Sequence, residues 1–341
     1  MTLPSAPIRD DLLVPGEPDL VVGVDVGGTK TAALVVDPSD VVLARDSAAT
    51  DGTAIAEGIV KLVRSLVADA GLPIERIGAI GIGIPGHVDP IAGTIAQAVN
   101  MERGEQRIAG PVEDALGRPT FLEHDARAAA RWLASLDPNG RASLAYVSVG
   151  TGISAGIVLD GRVVAGVGGI AGEIGHVVAD PSGPVCVCGL RGCLEAVASG
   201  PAIARAGRTA ASGSGRLGRD PSTADVLAAA AAGDSAAVQV VDAAAGHLAR
   251  AIRGLVLAFG VEQVVLGGGV ARAGDALMEP LLAAIARERA ASPLVRTALP
   301  DGVVRRQTAD PEAGTWGAVA VARDGLARKE VERRDVSPQA R

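Results

Sequence analysis

Two hydrophobic periods alternate along this 341-residue chain. Residues 20–26, Leu-Val-Val-Gly-Val-Asp-Val, are an apolar β-branched run that reads as a buried strand. Residues 31–36 and 41–44 read as two further strands, reached through turns at 27–30 and 37–40. The period then changes: Ile55, Ile59, Leu62, Val63 and Leu66 recur at helical spacing within 53–70. A strand at 78–84, a short helix at 112–117, a strand at 120–122 and an Ala-rich helix from Ala126 to Leu136 follow. A second meander occupies 143–149, 154–159 and 162–167, with turns at Gly150-Thr151-Gly152 and Asp160-Gly161. Beyond it the spacing predicts helices at 201–208, from a Ser222 or Thr223 cap to 232, and at 235–259, 276–290 and 314–327. Strands are expected at 261–266 and 303–305.

Strand-turn-strand-turn-strand thus occurs twice, which predicts two similar halves. A meander at the start also argues against a dinucleotide-binding fold, where the first strand leads into a helix. Gly81-Ile82-Gly83-Ile84-Pro85-Gly86 matches G-x-G-x-x-G, but His87-Val88-Asp89-Pro90 continues it as loop rather than helix. The turn at Gly27, Gly28, Thr29 and Lys30 is more informative. Its backbone N–H groups can cradle phosphate oxygens, and Asp25 beside it can hold a hydrated magnesium ion. An ordinary hairpin turn is the plain alternative. Comparable glycine turns end two other predicted strands, at Gly150-Thr151-Gly152 and Gly267-Gly268-Gly269. Three such turns favour a nucleotide held between two domains.

Composition narrows the class. Apolar residues make up 48% of the chain but aromatics only 1%, so the core must be built from Ala, Val, Leu and Ile. A net charge of −7 argues against a nucleic-acid partner, which wants a concentrated basic face. No apolar run reaches the roughly 18 residues of a membrane span. No secretory signal pattern opens the chain, so a cytoplasmic location is expected. All three cysteines fall within 186–193, and His176 lies ten residues upstream of the first. His176, Cys186, Cys188 and Cys193 supply the four ligands of a structural zinc site. Glu173 and Glu195 bracket that segment and need another role. His87 and His247 read as structural or surface residues.

Asp25 to Lys30, Gly81 to Asp89, Glu173 to His176 and Cys186 to Glu195 together resemble the ROK family of repressors, open reading frames and kinases. The resemblance runs from about Leu20 to Ala327. It implies an α/β actin-like ATPase fold, ribonuclease-H-like and hexokinase-type, with two domains around a cleft. It implies phosphoryl transfer from Mg-ATP to a hexose or N-acetylhexosamine hydroxyl. The small domain would comprise 19–124 plus 314–327, and the large domain 125–313. Residues 1–18 and 328–341 would be a disordered lead and a flexible tail.

The resemblance also implies roles. Asp125 matches the aspartate that takes the proton of the attacking hydroxyl, and it can equally cap the helix it precedes. Glu173, His176 and Glu195 match sugar-hydroxyl partners, with zinc fixing the histidine ring; Glu195 also reads as a helix-start carboxylate. Asn100 and Gly86 match sugar-side positions. The family reads Glu-Asn-Asp-Ala-Asn where this chain has Glu123-His124-Asp125-Ala126-Arg127, and the usual tryptophan after Asn100 is absent. His124 would stand at the sugar and Arg127 would bring a charge near the cleft. These departures motivate an alternative, a non-catalytic or sugar-responsive regulatory protein. The leader before the first strand is too short for a three-helix DNA reader. A homodimer or homotetramer is expected by resemblance.

Overall fold

The computed structural model describes residues 16–96, 105–211, 217–307 and 313–336. Contacts divide the chain into two units: residues 1–133, 166–170 and 311–341, and residues 134–165 and 171–310. The sequence reading placed the change at Asp125; the first unit runs on through Leu133 and also takes in 166–170.

In the first unit the predicted meander forms β1 (Leu20–Val26), β2 (Lys30–Val36) and β3 (Val42–Ala49). Then come α1 (Ile55–Asp69), β4 (Ile77–Ile84), β5 (His87–Asp89), β6 (Thr94–Ala96), β7 (Gln106–Arg107), α2 (Ala109–Leu116), β8 (Thr120–His124) and α3 (Asp125–Ser135). The main sheet has the order β3-β2-β1-β4-β8. β1, β4 and β8 run parallel, so their carboxyl ends share one edge. Leu20, Val22, Val24 and Val26 of β1 and Ile80, Ile82 and Ile84 of β4 enter one core with α1. The alternate face holds Val21 and Ala79 against Val319 and Ala322.

In the second unit β9 (Leu144–Val149), β10 (Ile153–Leu159) and β11 (Arg162–Val163) repeat the meander. α4 (Leu194–Ala198), α5 (Gly200–Ala211), α6 (Thr223–Ala231) and α7 (Ser235–Phe259) precede β12 (Gln263–Gly267). α8 (Gly268–Ala271), α9 (Asp275–Ala291), α10 (Pro293–Ala298) and β13 (Val304–Arg306) follow; α11 (Ala313–Val336) belongs to the first unit. The sheet order is β11-β10-β9-β12-β13, again an antiparallel meander with two parallel strands added at its first strand. α7 fills this core with Val241, Leu248, Ile252 and Leu255. No single helix among the described residues is long and apolar enough to cross a membrane.

Three expectations are corrected and two elements are added. β11 stops at Val163, not Val167, because Gly166, Gly168 and Gly169 take positive φ and turn the chain into a short 3₁₀ segment. Gly268 opens α8 instead of lying in a turn. The small sheet β5-β6-β7 and helix α10 were not anticipated. α11 continues past Ala327 to Val336, since the Arg, Lys and Glu of that stretch are good helix formers. Residues 1–15 and 337–341 lie outside the described residues.

Candidate active site

In the first unit the shared carboxyl edge gathers Asp25, Gly86 and Asp125. Asp25 is the next-to-last residue of β1, Gly86 follows β4 with φ +103°, and Asp125 follows β8. Ligands of open α/β sheets bind at this edge. Beside Asp25, the Gly27 N–H closes the first turn on the Lys30 carbonyl at 2.9 Å.

Asp125 opens α3 with its carboxylate 27% exposed, and Oδ1 accepts the Ala126 N–H at 2.6 Å. It is therefore both a helix-start acid and open to a ligand. The His124 ring is buried beside it: Nδ1 lies 3.2 Å from Asp125 Oδ1 and accepts the Ala126 N–H at 3.2 Å. Arg127 departs from the sequence expectation. Its side chain is 1% exposed, Nε donates to Glu123 Oε1 at 2.8 Å, and an η nitrogen donates to the Gly169 carbonyl. The charge is held inside the unit, tied to Glu123 four residues earlier. Asn100 lies outside the described residues.

In the second unit the ligand atoms of His176, Cys186, Cys188 and Cys193 all lie within 4.8 Å of one another. Cys186 Sγ stands 3.6 Å from His176 Nδ1, and Cys188 Sγ 3.6 Å from Cys193 Sγ. Tetrahedral zinc with bonds of about 2.0–2.3 Å gives edges of about 3.6–3.8 Å, so these two pairs match its edges and the donor set matches its chemistry. Nδ1 is the nitrogen on the thiol side; Nε2 faces Glu173 Oε2 at 4.0 Å. Burial, ahead of the neighbouring thiols, pushes Cys193 up to about 12 and raises Cys186 as well. Loop geometry supports the cluster. The Cys186 N–H donates to the Leu190 carbonyl at 2.7 Å, and the Ala179 and Asp180 amides both donate to the Gly192 carbonyl.

Glu195 sits in the first turn of α4 and is tied to the second meander: Oε2 accepts the Ile153 N–H at 3.0 Å. A Cβ on Gly152 would stand 2.7 Å from the same oxygen. Glu195 thus joins the cysteine loop to the turn at 150–152.

That turn borders a concavity of about 580 Å³, lined by Gly150, Thr151, Gly200, Thr223, Gly269 and Val270 among others. The Arg208–Asp220 ion pair, 2.9 Å, lies along it. Of the run Gly267-Gly268-Gly269 only Gly269 lines it. Gly267 lies under Tyr146, where a Cβ would come within 2.1 Å of Oη, and Gly268 packs on Val149. Gly200 and Thr223 were missed from sequence. Thr223 Oγ1 donates to the Gly200 carbonyl at 2.8 Å. The available signals were the Gly-Pro helix start at 200–201 and the capped Ser222-Thr223 pair.

The ROK family model matches residues 21–325. A glucokinase of Thermotoga maritima is 35% identical over 279 residues, 76% of this chain and 85% of that protein. An N-acetylmannosamine kinase of Citrobacter koseri is 36% identical over 255 residues, 73% of this chain and 83% of that one. Among solved structures, a ROK family glucokinase from Streptomyces griseus in complex with glucose and AMPPNP matches with a TM-score of 0.75 and 30% identity, covering 89% of this chain and 99% of its own. With the two sheets and the cysteine loop built as described, this chain belongs to the ROK family.

Proposed function

We propose that this chain is an ATP-dependent sugar kinase acting on a hydroxyl of a hexose or N-acetylhexosamine. The observation that carries the reading is the pair of carboxylates, Asp25 and Asp125, on one carboxyl edge of the first sheet. Asp125 takes the proton of the sugar hydroxyl. The hydroxyl oxygen forms a bond to the γ-phosphorus, the bond from that phosphorus to the β,γ-bridging oxygen breaks, and ADP leaves. One carboxylate base suffices because such transfer is chiefly positioning and charge neutralisation. Asp25 would hold the magnesium that accompanies ATP, an ion that neutralises developing phosphate charge.

Glu173, His176 and Glu195 bind sugar hydroxyls in this reading. Glu195 does so with its second oxygen, since Oε2 is engaged by the Ile153 amide. His176 Nδ1 with Cys186, Cys188 and Cys193 would hold zinc, which stiffens the loop. The concavity beside Gly150 and Gly269 suits the nucleotide: backbone turns border it for phosphate and Val270 offers apolar surface for a base. Thiols reserved for a metal fit a reducing cytoplasm. A homodimer or homotetramer is the expected assembly. With the Arg127 charge held inside the unit, the alternative of a non-catalytic sugar binder rests on His124 and on the missing tryptophan after Asn100.

The test is sugar-dependent ADP release across glucose, mannose, fructose, N-acetylglucosamine and N-acetylmannosamine. At least one should stimulate release from Mg-ATP. A protein that binds one of these sugars yet releases no ADP is the regulatory alternative, and the kinase reading ends there.

A further inference from the structure

The strand period of two puts Val21, Gly23 and Asp25 of β1, and Ala79, Gly81 and Gly83 of β4, on the face that carries α11. The helix lies on this face nearly backbone to backbone. A Cβ on Gly23 would stand 2.5 Å from the Thr315 carbonyl oxygen, and one on Gly81 1.9 Å from that of Ala318. Gly81-x-Gly83, which mimics a dinucleotide fingerprint, has its use here: Gly81 seats α11, and Gly83 faces Ala128 and the Asp125 Cα at 3.7 Å.

Two glycines of α11 itself extend the pattern. A Cβ on Gly314, in the first turn, would stand 2.2 Å from Asp25 Oδ2. A Cβ on Gly317, three residues on, would stand 2.4 Å from the Ala128 carbonyl carbon and 2.6 Å from the Ala129 nitrogen. Ala128 is in the first turn of α3, the helix that Asp125 opens. The start of α11 therefore abuts the carboxylate at the end of β1 through one glycine and the helix of Asp125 through another.

We propose that Gly314 and Gly317 are positioning residues that set where the Asp25 carboxylate and the Asp125 helix stand relative to each other. The inference rests on the reading of Asp25 as the Mg-phosphate acid and Asp125 as the base. Gly314 acts through Asp25: any side chain would push the carboxylate from its place. Gly317 acts through α3: any side chain would lift that helix and Asp125 with it. Displacements near 1 Å cost up to about 100-fold in enzymes.

The test uses the full chain and an equilibrium readout, the affinity for Mg·ADP by calorimetry with and without Mg²⁺, alongside kcat. Gly314→Ala should weaken the Mg²⁺-dependent part of binding about tenfold. In an Asp25→Ala background the same substitution should add nothing. Gly317→Ala should lower kcat by about ten- to a hundredfold while Mg·ADP affinity holds. Gly325→Ala, which presses α11 on the Phe121 ring further along, should lower the melting temperature and leave the Mg²⁺ effect unmoved. If Gly314→Ala does not fold, adding Asp25→Ala should restore folding by removing the clash. Effects that multiply in the double variant, a pair that still fails to fold, or a Gly325→Ala protein with the same Mg²⁺ defect each overturn the proposal. An Asp25→Ala protein with unchanged Mg²⁺ dependence overturns the metal reading of Asp25 itself, and the two failures are thereby told apart.

Discussion

The two sheets share one strand order and differ at two positions, two residues apart, on their first strands. Aligned on their first turns, Val24-Asp25-Val26-Gly27 of the first unit matches Val147-Ser148-Val149-Gly150 of the second. Asp25 then corresponds to Ser148, and Gly23, on which α11 sits, to Tyr146. The turns differ too: Val26 pairs with Thr31 and Val149 with Ile153, leaving residues 27–30 against 150–152. The first sheet carries its acid in the strand and clears the face with glycine. The second fills the corresponding position with Tyr146 and receives an acid, Glu195, from α4. Topology follows the apolar pattern that both sheets share. Chemistry follows the alternate positions, where they part.

The largest expected effect tests the second unit's dependence on its cysteine loop. A structural zinc is worth on the order of 10 kcal/mol to a small metal-folded module. Metal analysis should find about one zinc per chain, and Cys193→Ser should leave none and lower the melting temperature sharply. A metal-free protein of full stability would sink this reading. Next is the acid at the strand edge. Asp125→Asn should lower kcat by about 10²–10⁴-fold with an unchanged melting temperature, whereas Ser148→Ala in the second unit should stay within about twofold. Equal losses from the two would erase the division of labour.

Glycine seats come third. Gly81→Ala drives a methyl into the Ala318 backbone, which cannot yield, and should destabilise by about 3 kcal/mol or more. Gly267→Ala meets the outer part of the Tyr146 ring and should cost nearer 1 kcal/mol. Chemical denaturation measures both; the reverse order would show that Tyr146 is as fixed as the helix backbone.

These contrasts mark what was legible beforehand. The apolar runs gave both meanders, α7 to the residue and the repeated topology, because period and turn chemistry are local. The Ser292-Pro293 start of α10 was equally local and went unread. Gly81 and Gly23 were not legible as seats, since the helix they serve lies over 200 residues along the chain. Arg127 drew attention as a charge in the wrong place, but its carbonyl partner is 42 residues away at Gly169. The clustering of His176, Cys186, Cys188 and Cys193 was readable from spacing. The tie of Glu195 to Ile153 was not, because it needs the fold of a stretch that separates them by 42 positions.

Glu195 tests that tie with a smaller effect. Glu195→Gln keeps an oxygen for the Ile153 N–H but loses the charge, so sugar KM should rise about tenfold with little change in stability. Glu195→Ala also orphans the amide and should destabilise by about 1–3 kcal/mol. If both substitutions melt alike, the Ile153 bond is not what Glu195 contributes to the fold.

The smallest effect concerns how the units start their helices. α1 begins at Ala54 without a side-chain cap, whereas α6 begins with a full capping box. Ser222 Oγ accepts the Asp225 N–H at 3.2 Å, and Asp225 Oδ2 accepts the Ser222 N–H at 2.9 Å and its hydroxyl at 2.7 Å. Ser222→Ala removes the hydroxyl and should cost about 1 kcal/mol, a shift of roughly 2–4 °C in melting temperature. The Ser222 hydroxyl, then its amide, hold the Asp225 carboxyl below the usual carboxylate range. A carboxyl lowered in the folded state stabilises fully above its unfolded value and loses that contribution as pH falls through the lowered one. The Ser222→Ala penalty should therefore be complete at neutral pH and shrink in acid below about pH 4. A penalty that stays constant through that range would mean the hydroxyl caps α6 without help from the Asp225 charge.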